Sequence, residues 1–254
     1  MRRRAHFRLP RSRAIVLAVA VLAAVSAIAG AQRGFRQRRA FIEPNPTYDG
    51  RFAFVRLRYQ RYNGWDFDYP AMERNLMFMV RELTTMRPHV RESNVLDMDD
   101  PELMKWPVAY LSEPGYWVPT GGEALGLRNW LAKGGFLFVD DFYGNQWANF
   151  ERSMRMVLPD AEFVRLDTTH PIFNSFYSIE SLDKMSHPAN PSYKAIYYGI
   201  YERNDRRRRL VAIVNYNNDI GDYMEWSGRG WYPMNMSNDA YKFATNYLVY
   251  ALTH

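Results

Sequence analysis

One short segment constrains the fold of this chain more than any other. Residues 134–142 are Gly-Gly-Phe-Leu-Phe-Val-Asp-Asp-Phe. Four consecutive apolar residues behind a glycine pair are typical of a strand that is buried on both faces, as in parallel sheets covered by helices. Asp140 and Asp141 stand where this strand should end. Because ligands of open α/β sheets bind outside the carboxyl ends of the strands, we expect a functional site here.

The segments around this strand predict an alternation of strands and helices. Thr120-Gly-Gly-Glu123 has the spacing of a capping box at a helix N-terminus, and Gly134-Gly135 suits the turn that ends a helix. Residue type and periodicity predict the other elements, which are strands at 51–59, 95–98, 107–111 and 162–166, and helices behind Pro70 and over 147–157. This order is the βαβ pattern of a mostly parallel sheet between two layers of helices.

The C-terminal part of the chain has a different pattern. Residues 194–201 and 210–216 predict an antiparallel hairpin around an arginine-rich loop, and a last helix follows, with Ser237 or Asn238 as its expected cap. The predicted fold class is therefore α/β: a three-layer sandwich with a mostly parallel sheet, an antiparallel hairpin and a C-terminal helix.

The N-terminal segment has the composition of an export signal. Residues 14–29 are an uncharged, mostly apolar run behind an arginine-rich start, and Ala29-Gly30-Ala31 allows cleavage before Gln32. This run is short for a membrane span. Residues 1–31 are interpreted as a signal peptide or an N-terminal membrane anchor, 32–49 as a linker and 50–254 as a single α/β domain. The predicted location is the periplasm or the extracytoplasmic face of the cytoplasmic membrane, with membrane contact through the N-terminal segment.

Charge and composition exclude several classes of function. Residues 1–39 hold ten arginines and no acidic residue, which leaves 27 acidic against 23 basic residues in the rest of the chain. The domain therefore lacks the basic face that a nucleic-acid-binding protein needs, and we expect no nucleic acid as a partner. The chain has no cysteine, which excludes disulfides, a thiolate nucleophile and cysteine-bound zinc.

The candidate site residues begin with the two aspartates that end the central strand. Adjacent residues on a strand point to opposite faces, so we expect only one of Asp140 and Asp141 to enter a cleft. The alternative is that one of them caps the next helix or accepts backbone amides. Asp66 and Asp68 follow the first predicted strand, so they are expected at the same edge of the sheet.

Two further segments carry groups that suit catalysis or ligand binding. His170, which Pro171 follows, is a candidate base or metal ligand, although such a histidine can instead bond to its own loop. Residues 217–226 are dense in oxygen donors but lack the spacing of an EF-hand, so a polar loop with Asx turns is the alternative. The secondary candidates in this loop are Asn217, Asp219, Asp222 and Glu225. The sequence names no cofactor and leaves the presence of a metal open.

Taken together, several segments resemble a known family. In chain order they are residues 54–59 (Phe-Val-Arg-Leu-Arg-Tyr), 65–70 (Trp-Asp-Phe-Asp-Tyr-Pro), 110–115 (Tyr-Leu-Ser-Glu-Pro-Gly), 134–142, 170–173 (His-Pro-Ile-Phe), 217–226 and 250–254. This set resembles the bacterial domain-of-unknown-function family 4159 over about residues 50–254. The resemblance implies a flavodoxin-like fold of the class I glutamine amidotransferase type and names no reaction. In true glutamine amidotransferases a cysteine follows the strand that residues 135–139 resemble, and its absence here excludes that chemistry.

Three functional hypotheses remain from the sequence, and whether the protein is an enzyme stays open. The first is a non-catalytic domain that binds a ligand or a protein partner in the cell envelope. The alternative is a hydrolase that uses Asp141 and His170, with or without a divalent metal, and a purely structural role is a third reading. A hydrolase requires these two residues and the loop carboxylates to converge in a pocket, whereas scattered positions favour the binding domain.

Overall fold

Seven strands form one sheet in the computed structural model, which describes residues 41–61 and 64–254. In chain order they are β1 (Val55–Arg58), β2 (Asn94–Asp97), β3 (Val108–Ser112), β4 (Phe136–Asp140), β5 (Val164–Arg165), β6 (Ile196–Tyr201) and β7 (Leu210–Tyr216). Their order across the sheet is β2-β1-β3-β4-β7-β6-β5. Strands β2, β1, β3, β4 and β7 are parallel, whereas β6 and β5 run antiparallel to their neighbours.

The start of this order, 2-1-3-4, is that of a flavodoxin-like sheet. The chain adds β2 on one side of β1, and then adds β3 and β4 on the other side. In such folds the ligand crevice forms between β1 and β3, where this change of side occurs. The predicted α/β class with an antiparallel hairpin is confirmed. One detail differs, because residues 164–165 do not continue the parallel sheet: β5 lies at its outer edge, antiparallel to β6, and β7 takes the place beside β4.

Helices cover the sheet in two groups. They are α1 (Ala71–Leu83), α2 (Gly121–Ala132), α3 (Trp147–Val157), α4 (Ile220–Glu225) and α5 (Met234–Thr253). Helices α1, α4 and α5 pack against one another, and α2 packs against α3. The sheet with these two groups of helices is the expected three-layer sandwich, in which the central strand β4 is buried along its whole length.

Local signals account for where the helices begin and end. In α2, Thr120 accepts the backbone N–H of Glu123 at 3.2 Å, and Glu123 accepts that of Thr120 at 2.6 Å, which is the predicted capping box. Gly134 follows α2 with a φ of 112°, a conformation that favours glycine. Helix α5 begins at Met234, earlier than predicted, because Ser237 does not cap it but donates to the carbonyl of Tyr223.

Aromatic side chains from the middle of the sheet and from α5 form the centre of the core. Phe138 on β4 contacts Tyr110 on β3 and Tyr247 on α5 edge to face, with ring centroids 4.9 and 5.1 Å apart. All three side chains are fully buried. Edge-to-face contacts add to the large stabilisation from burying each ring, so this layer fixes α5 against the centre of the sheet.

Residues 42–254 form one compact unit, which begins before the predicted domain start at residue 50. Asn45 accepts the backbone N–H of Val95 at 2.8 Å and donates to its carbonyl, and Glu43 accepts from Arg74 at 2.7 Å. The end of the predicted linker therefore packs on the domain. No helix within 41–61 and 64–254 is long and apolar enough to cross a membrane. The predicted leader, residues 1–31, lies outside the described residues.

Candidate functional site

The candidate site lies at the edge of the sheet where the parallel strands end. Asp68 follows β1, Ser112 ends β3, Asp141 follows β4 and Asp219 follows β7. Since β6 is antiparallel to β7, the segment that leads into β6 reaches this same edge and brings His187 with it. The topology therefore gathers side chains from five separate parts of the chain.

Asp140 is the most deeply buried carboxylate at this edge. Its Oδ2 accepts the hydroxyl of Tyr110 at 3.2 Å and the backbone N–H of Gly221 at 2.9 Å, and its Oδ1 accepts the side-chain amide of Asn215 at 3.0 Å. Burial raises the pKa of Asp140 to about 7, although these three hydrogen bonds oppose the shift. Asp140 thus fits the alternative of a structural carboxylate that accepts backbone and side-chain donors.

The carboxylate of Asp141 contacts other residues than that of Asp140 does. Its backbone has a φ of 65°, and its N–H donates to the carbonyl of Asn218 at 3.1 Å. Its Oδ2 accepts the hydroxyl of Ser112 at 3.2 Å, and its Oδ1 lies 3.1 Å from Nε2 of His187. Asp141 is buried but caps no helix, so of the two adjacent aspartates it is the one placed to meet a ligand.

His187 holds Asp141 in this position. The Nδ1 of His187 accepts the backbone N–H of Ala189 at 3.1 Å, so the ring proton is on Nε2 and is donated to Asp141. The ring packs edge to face on Tyr143, with centroids 4.4 Å apart. His187 was not among the site residues predicted from the sequence, although His187-Pro188 has the same pattern as His170-Pro171.

Asp219 brings a third buried side chain to the same place. It is the N-cap of α4, where its Oδ1 accepts the backbone N–H of Asp222 at 2.8 Å. Burial, and next the charge of Asp141, raise the pKa of Asp219 well above its usual range. Donor atoms of Asp141, His187 and Asp219 all lie within 4.8 Å of one another. We call these three residues the inner group.

Asp68, Asp222 and Glu225 form an outer group next to it. Their donor atoms also lie within 4.8 Å of one another, and all three residues are partly exposed. Burial is the largest cause of a raised pKa for each of them, and repulsion by Asp141 adds to it for Asp68 and Asp222. Asp222 also accepts the hydroxyl of Tyr232 at 2.6 Å. The outer group is thus the solvent-facing part of the same site.

Arg56 fixes the loop that carries Asp68. It lies on β1, is fully buried and forms an ion pair with Glu73 on α1. Its guanidinium also donates to the backbone carbonyls of Trp65 and Phe67, at 2.8 and 2.7 Å. Because the charge of Arg56 is matched by Glu73, its main effect on the site is to position the loop before Asp68.

Most of the predicted site residues come together, and Asp66, Asn217 and His170 do not. Asp68, Asp141, Asp219, Asp222 and Glu225 come together, with Asp140 directly beneath them. Asp66 belongs to neither the inner nor the outer group. Asn217 has a structural role, since it accepts the N–H of Gly144 and donates to the carbonyl of Lys194.

His170 lies at the opposite edge of the sheet. Its ring packs on Tyr201 and Tyr250, with centroids 6.0 and 5.8 Å away, and Tyr201 pairs with the first residue of β7. Its Nδ1 accepts the backbone N–H of Ile172 at 3.2 Å, which is the loop role given as the alternative above. The geometry therefore does not bring His170 to Asp141, and His187 takes the place expected for it.

The site carries more negative charge than the nearby cations balance. Arg56 lowers the pKa of Asp68, and Arg229 and Arg56 lower that of Glu225. The pKa of each carboxyl nevertheless stays above its usual value, because burial and mutual repulsion outweigh these cations. We call the six acids Asp68, Asp140, Asp141, Asp219, Asp222 and Glu225 the carboxylate cluster.

Comparison with known proteins identifies a family and no activity. A family model described as "Domain of unknown function (DUF4159)" matches residues 53–252. The resemblance drawn from the sequence motifs is thereby confirmed, and the matched range contains the whole carboxylate cluster and His187. No curated protein matches the chain.

Proposed function

This chain belongs to the DUF4159 family, and since that description names no reaction, we propose a function from the site itself. The protein is an exported or membrane-tethered domain of the cell envelope that binds a cationic ligand, or a cationic group of a protein partner. The ligand binds without chemical turnover at the carboxyl edge of the sheet, over the outer group and against the inner one.

The uncompensated carboxylate cluster is the observation that carries this proposal. Burial raises the pKa of Asp68, Asp219, Asp222 and Glu225, so holding these groups ionised in the free protein opposes folding. A bound cation interacts favourably with the ionised forms and offsets that repulsion. Six acids at the ligand-binding edge of this fold therefore favour a positively charged ligand over a neutral or anionic one.

The hydrogen bonds of the site favour binding over nucleophilic catalysis. A serine nucleophile needs a base that accepts its proton, as histidine does between serine and a carboxylate. Here Asp141 lies between Ser112 and His187, and both ring nitrogens of His187 are engaged. Ser112 is fully buried. The three residues therefore form a rigid scaffold in which Ser112 is not an activated nucleophile.

A metal-dependent hydrolase is the second candidate. The pair of Asp141 and His170 cannot serve it, since His170 lies at the other edge of the sheet. The observation that favours it is the inner group, whose three potential metal ligands lie within 4.8 Å of one another. A divalent ion there would lower the pKa of a bound water and generate a nucleophile without a free protein base.

The location in the cell envelope rests on the leader. The arginine-rich start, the apolar run over residues 14–29 and the small residues at 29–31 have the order of an export signal. A domain without cysteine does not depend on the redox state of its compartment. Its stability comes from the aromatic core, which is compatible with either a cleaved or a retained leader.

A binding comparison with matched variants tests the proposed function. The purified full chain is titrated in a calorimeter with three cation classes: Ca²⁺ and Mg²⁺, spermidine, and an oligolysine peptide. The double variant Asp222→Asn/Glu225→Gln removes charge from the outer group, and Glu102→Gln, an exposed acid paired with Lys105, is the control. We expect at least one class to bind the parent and the control and to bind the double variant more weakly.

Two results would change this conclusion. If none of the three classes binds, or if the double variant binds as the parent does, the cation-binding function is wrong. Turnover of generic phosphate or carboxylate esters that requires a divalent ion, and that Asp219→Asn abolishes, would favour the hydrolase.

A further inference from the structure

Resting on the proposed cation-binding function, we infer that one divalent metal ion of the size of Ca²⁺ binds where the inner group meets Asp68 of the outer group, through carboxylate oxygens of Asp141, Asp219 and Asp68. His187 takes no part as a ligand and instead orients Asp141. This inference names the chemistry of the ligand that the carboxylate cluster receives.

The spacing of the donor atoms fits an ion of this size. Calcium binds oxygen at about 2.3–2.6 Å, so two ligands on opposite sides of the ion lie about 5 Å apart. One carboxylate oxygen of Asp141 and one of Asp219 lie within 4.8 Å of each other. Magnesium, at about 2.0–2.1 Å, requires a tighter octahedral arrangement. The carboxylates of Asp141 and Asp219 can therefore both contact one calcium-sized ion.

Asp68 supplies an independent sign of a missing partner. Its Oδ2 is buried and has no hydrogen-bond partner among the residues that the structure describes. A buried polar atom without a partner is unfavourable, and a carboxylate oxygen more so than most. This oxygen is turned towards the inner group across Gly221: it lies 2.9 Å from the position of a Cβ on Gly221, and Asp219 Oδ1 lies 3.5 Å from that same position. A cation in contact with both would satisfy it.

The tautomer of His187 decides the type of metal. Because Nδ1 accepts the N–H of Ala189, the ring proton is on Nε2. A metal could bind Nε2 only if this proton moved to Nδ1, and the hydrogen bond from Ala189 would then be lost. The remaining donors are all carboxylate oxygens, which suit calcium and magnesium rather than zinc or copper. The N–H of His187 fixes the orientation of Asp141, as the outer hydrogen-bond partners of metal ligands do in other proteins.

Terbium luminescence on the full chain tests this inference. Tb³⁺ is an oxygen-binding probe for calcium sites. The hydroxyl of Tyr110 lies 2.7 Å from the same Cβ position on Gly221 that is 2.9 Å from Asp68 Oδ2, so this ring is close enough to sensitise the ion. We expect sensitised emission that Ca²⁺ displaces at lower concentration than Mg²⁺. Asp219→Asn should weaken Ca²⁺ about 100-fold or more, since the number of charged ligands sets the affinity of such sites. Asparagine is as good a helix N-cap as aspartate, so this variant keeps α4 intact.

The positioning role of His187 has its own variant and control. His187→Asn should reduce Ca²⁺ affinity about 10- to 100-fold, the usual loss when a partner of a metal ligand is removed. Its melting temperature in EDTA should change much less than its Ca²⁺ affinity. Glu102→Gln should bind as the parent does.

The outcomes separate this inference from the proposed function. If spermidine or oligolysine binds through Asp222 and Glu225 while Ca²⁺ and Tb³⁺ do not bind, the metal site is wrong and the cation-binding function stands. If no cation binds at all, both are wrong. Zn²⁺ that binds more tightly than Ca²⁺ and loses its affinity in His187→Asn would also overturn the inference, because His187 would then be a ligand.

Discussion

Asp68 and Asp219 lie on loops that follow different strands, yet their carboxylates meet over one glycine. Asp68 Oδ2 is 2.9 Å and Asp219 Oδ1 is 3.5 Å from the position that a Cβ on Gly221 would occupy. The backbone N–H of Gly221 also donates to Asp140 at 2.9 Å. Three carboxylates can therefore approach one another only because residue 221 has no side chain.

Gly221→Ala should destabilise the protein and impair cation binding. The added methyl would lie 2.7 Å from the hydroxyl of Tyr110 and 2.9 Å from Asp68 Oδ2, and overpacking of this kind costs about 1–3 kcal/mol. Alanine favours a helix over glycine by up to about 1 kcal/mol, which offsets part of this cost. The free energy of unfolding in urea measures the balance. The control is Gly121→Ala in the first turn of α2, which meets nothing within 4 Å. An equal effect of both substitutions would contradict the crowding at Gly221.

Asp141→Asn should leave stability unchanged or increase it while Ca²⁺ affinity falls. Asparagine keeps hydrogen-bonding atoms for Ser112 and His187, tolerates the φ of 65° and removes the charge that repels Asp68 and Asp219. Asp141→Ala loses the hydrogen bonds and adds about 1–2 kcal/mol for left-handed backbone. Thermal melts and Ca²⁺ titrations of both variants check this. Unchanged affinity in Asp141→Asn would remove Asp141 from the site.

Without added cations, the protein should lose stability as the pH rises from 5 to 8.5. Burial raises the pKa of Asp140 from 3.8 to about 7 in the folded protein. Protonation of Asp140 therefore stabilises the folded protein. This stabilisation is fully present below pH 3.8, the pKa of the aspartate in the unfolded chain, and is lost as the pH rises through about 7. Raised pKa values at Asp68 and Asp219 act in the same direction. Melting temperatures in EDTA across this range measure the trend, and a rise in stability towards pH 8.5 would refute it.

Removing Arg56 should destabilise the fold and weaken cation binding together. Arg56→Met leaves Glu73 charged and buried, which costs about 3–5 kcal/mol. The double variant Arg56→Met/Glu73→Met should recover most of that loss, because it removes both charges. It should not recover Ca²⁺ affinity, since the carbonyls of Trp65 and Phe67 stay without the donor that orders the loop before Asp68. Full recovery of affinity in the double variant would show that Arg56 does not position this loop.

The two histidine–proline pairs should differ in their effect on the site. His170→Asn should bind Ca²⁺ as the parent does, because His170 packs on Tyr201 and Tyr250 at the other edge of the sheet. Calorimetric titration beside His187→Asn provides the comparison. A similar loss of affinity in both variants would mean that His187 acts only through general stability.

A reporter enzyme fused after residue 50 should be active outside the cytoplasmic membrane. The basic start and the apolar run over residues 14–29 are expected to direct export. Activity confined to the cytoplasm would refute the predicted location. Sequencing of the mature N-terminus separates a cleaved leader, which begins at Gln32, from a retained anchor.

Elements with strong local signals could be predicted from the sequence. The capping box at Thr120, the glycine pair after α2 and the apolar residues of β4 are set by neighbours in the chain, and all three are found as predicted. The start of α5 was misplaced because Ser237 has the residue type of a cap but finds its partner in the carbonyl of Tyr223, far along the chain.

His170 and His187 show the limit of local signals at the site. Each precedes a proline, and each accepts the backbone N–H of the residue two positions later, at 3.2 and 3.1 Å. Nothing in these local patterns indicates which histidine reaches Asp141. The direction of β6 decides it, since the segment before an antiparallel strand lies at the edge where its parallel neighbours end.

Patterns within short segments were enough to predict the α/β class, the family and the edge of the sheet at which the carboxylates lie, because burial patterns and residues that follow strands are local properties. The position of β7 beside β4, which brings Asp219 and His187 to Asp141, could be seen only in the folded chain. Strand order depends on packing between residues far apart in the chain, such as Phe138 against Tyr247. The spacing of residues within a short segment does not indicate which distant residues pack together.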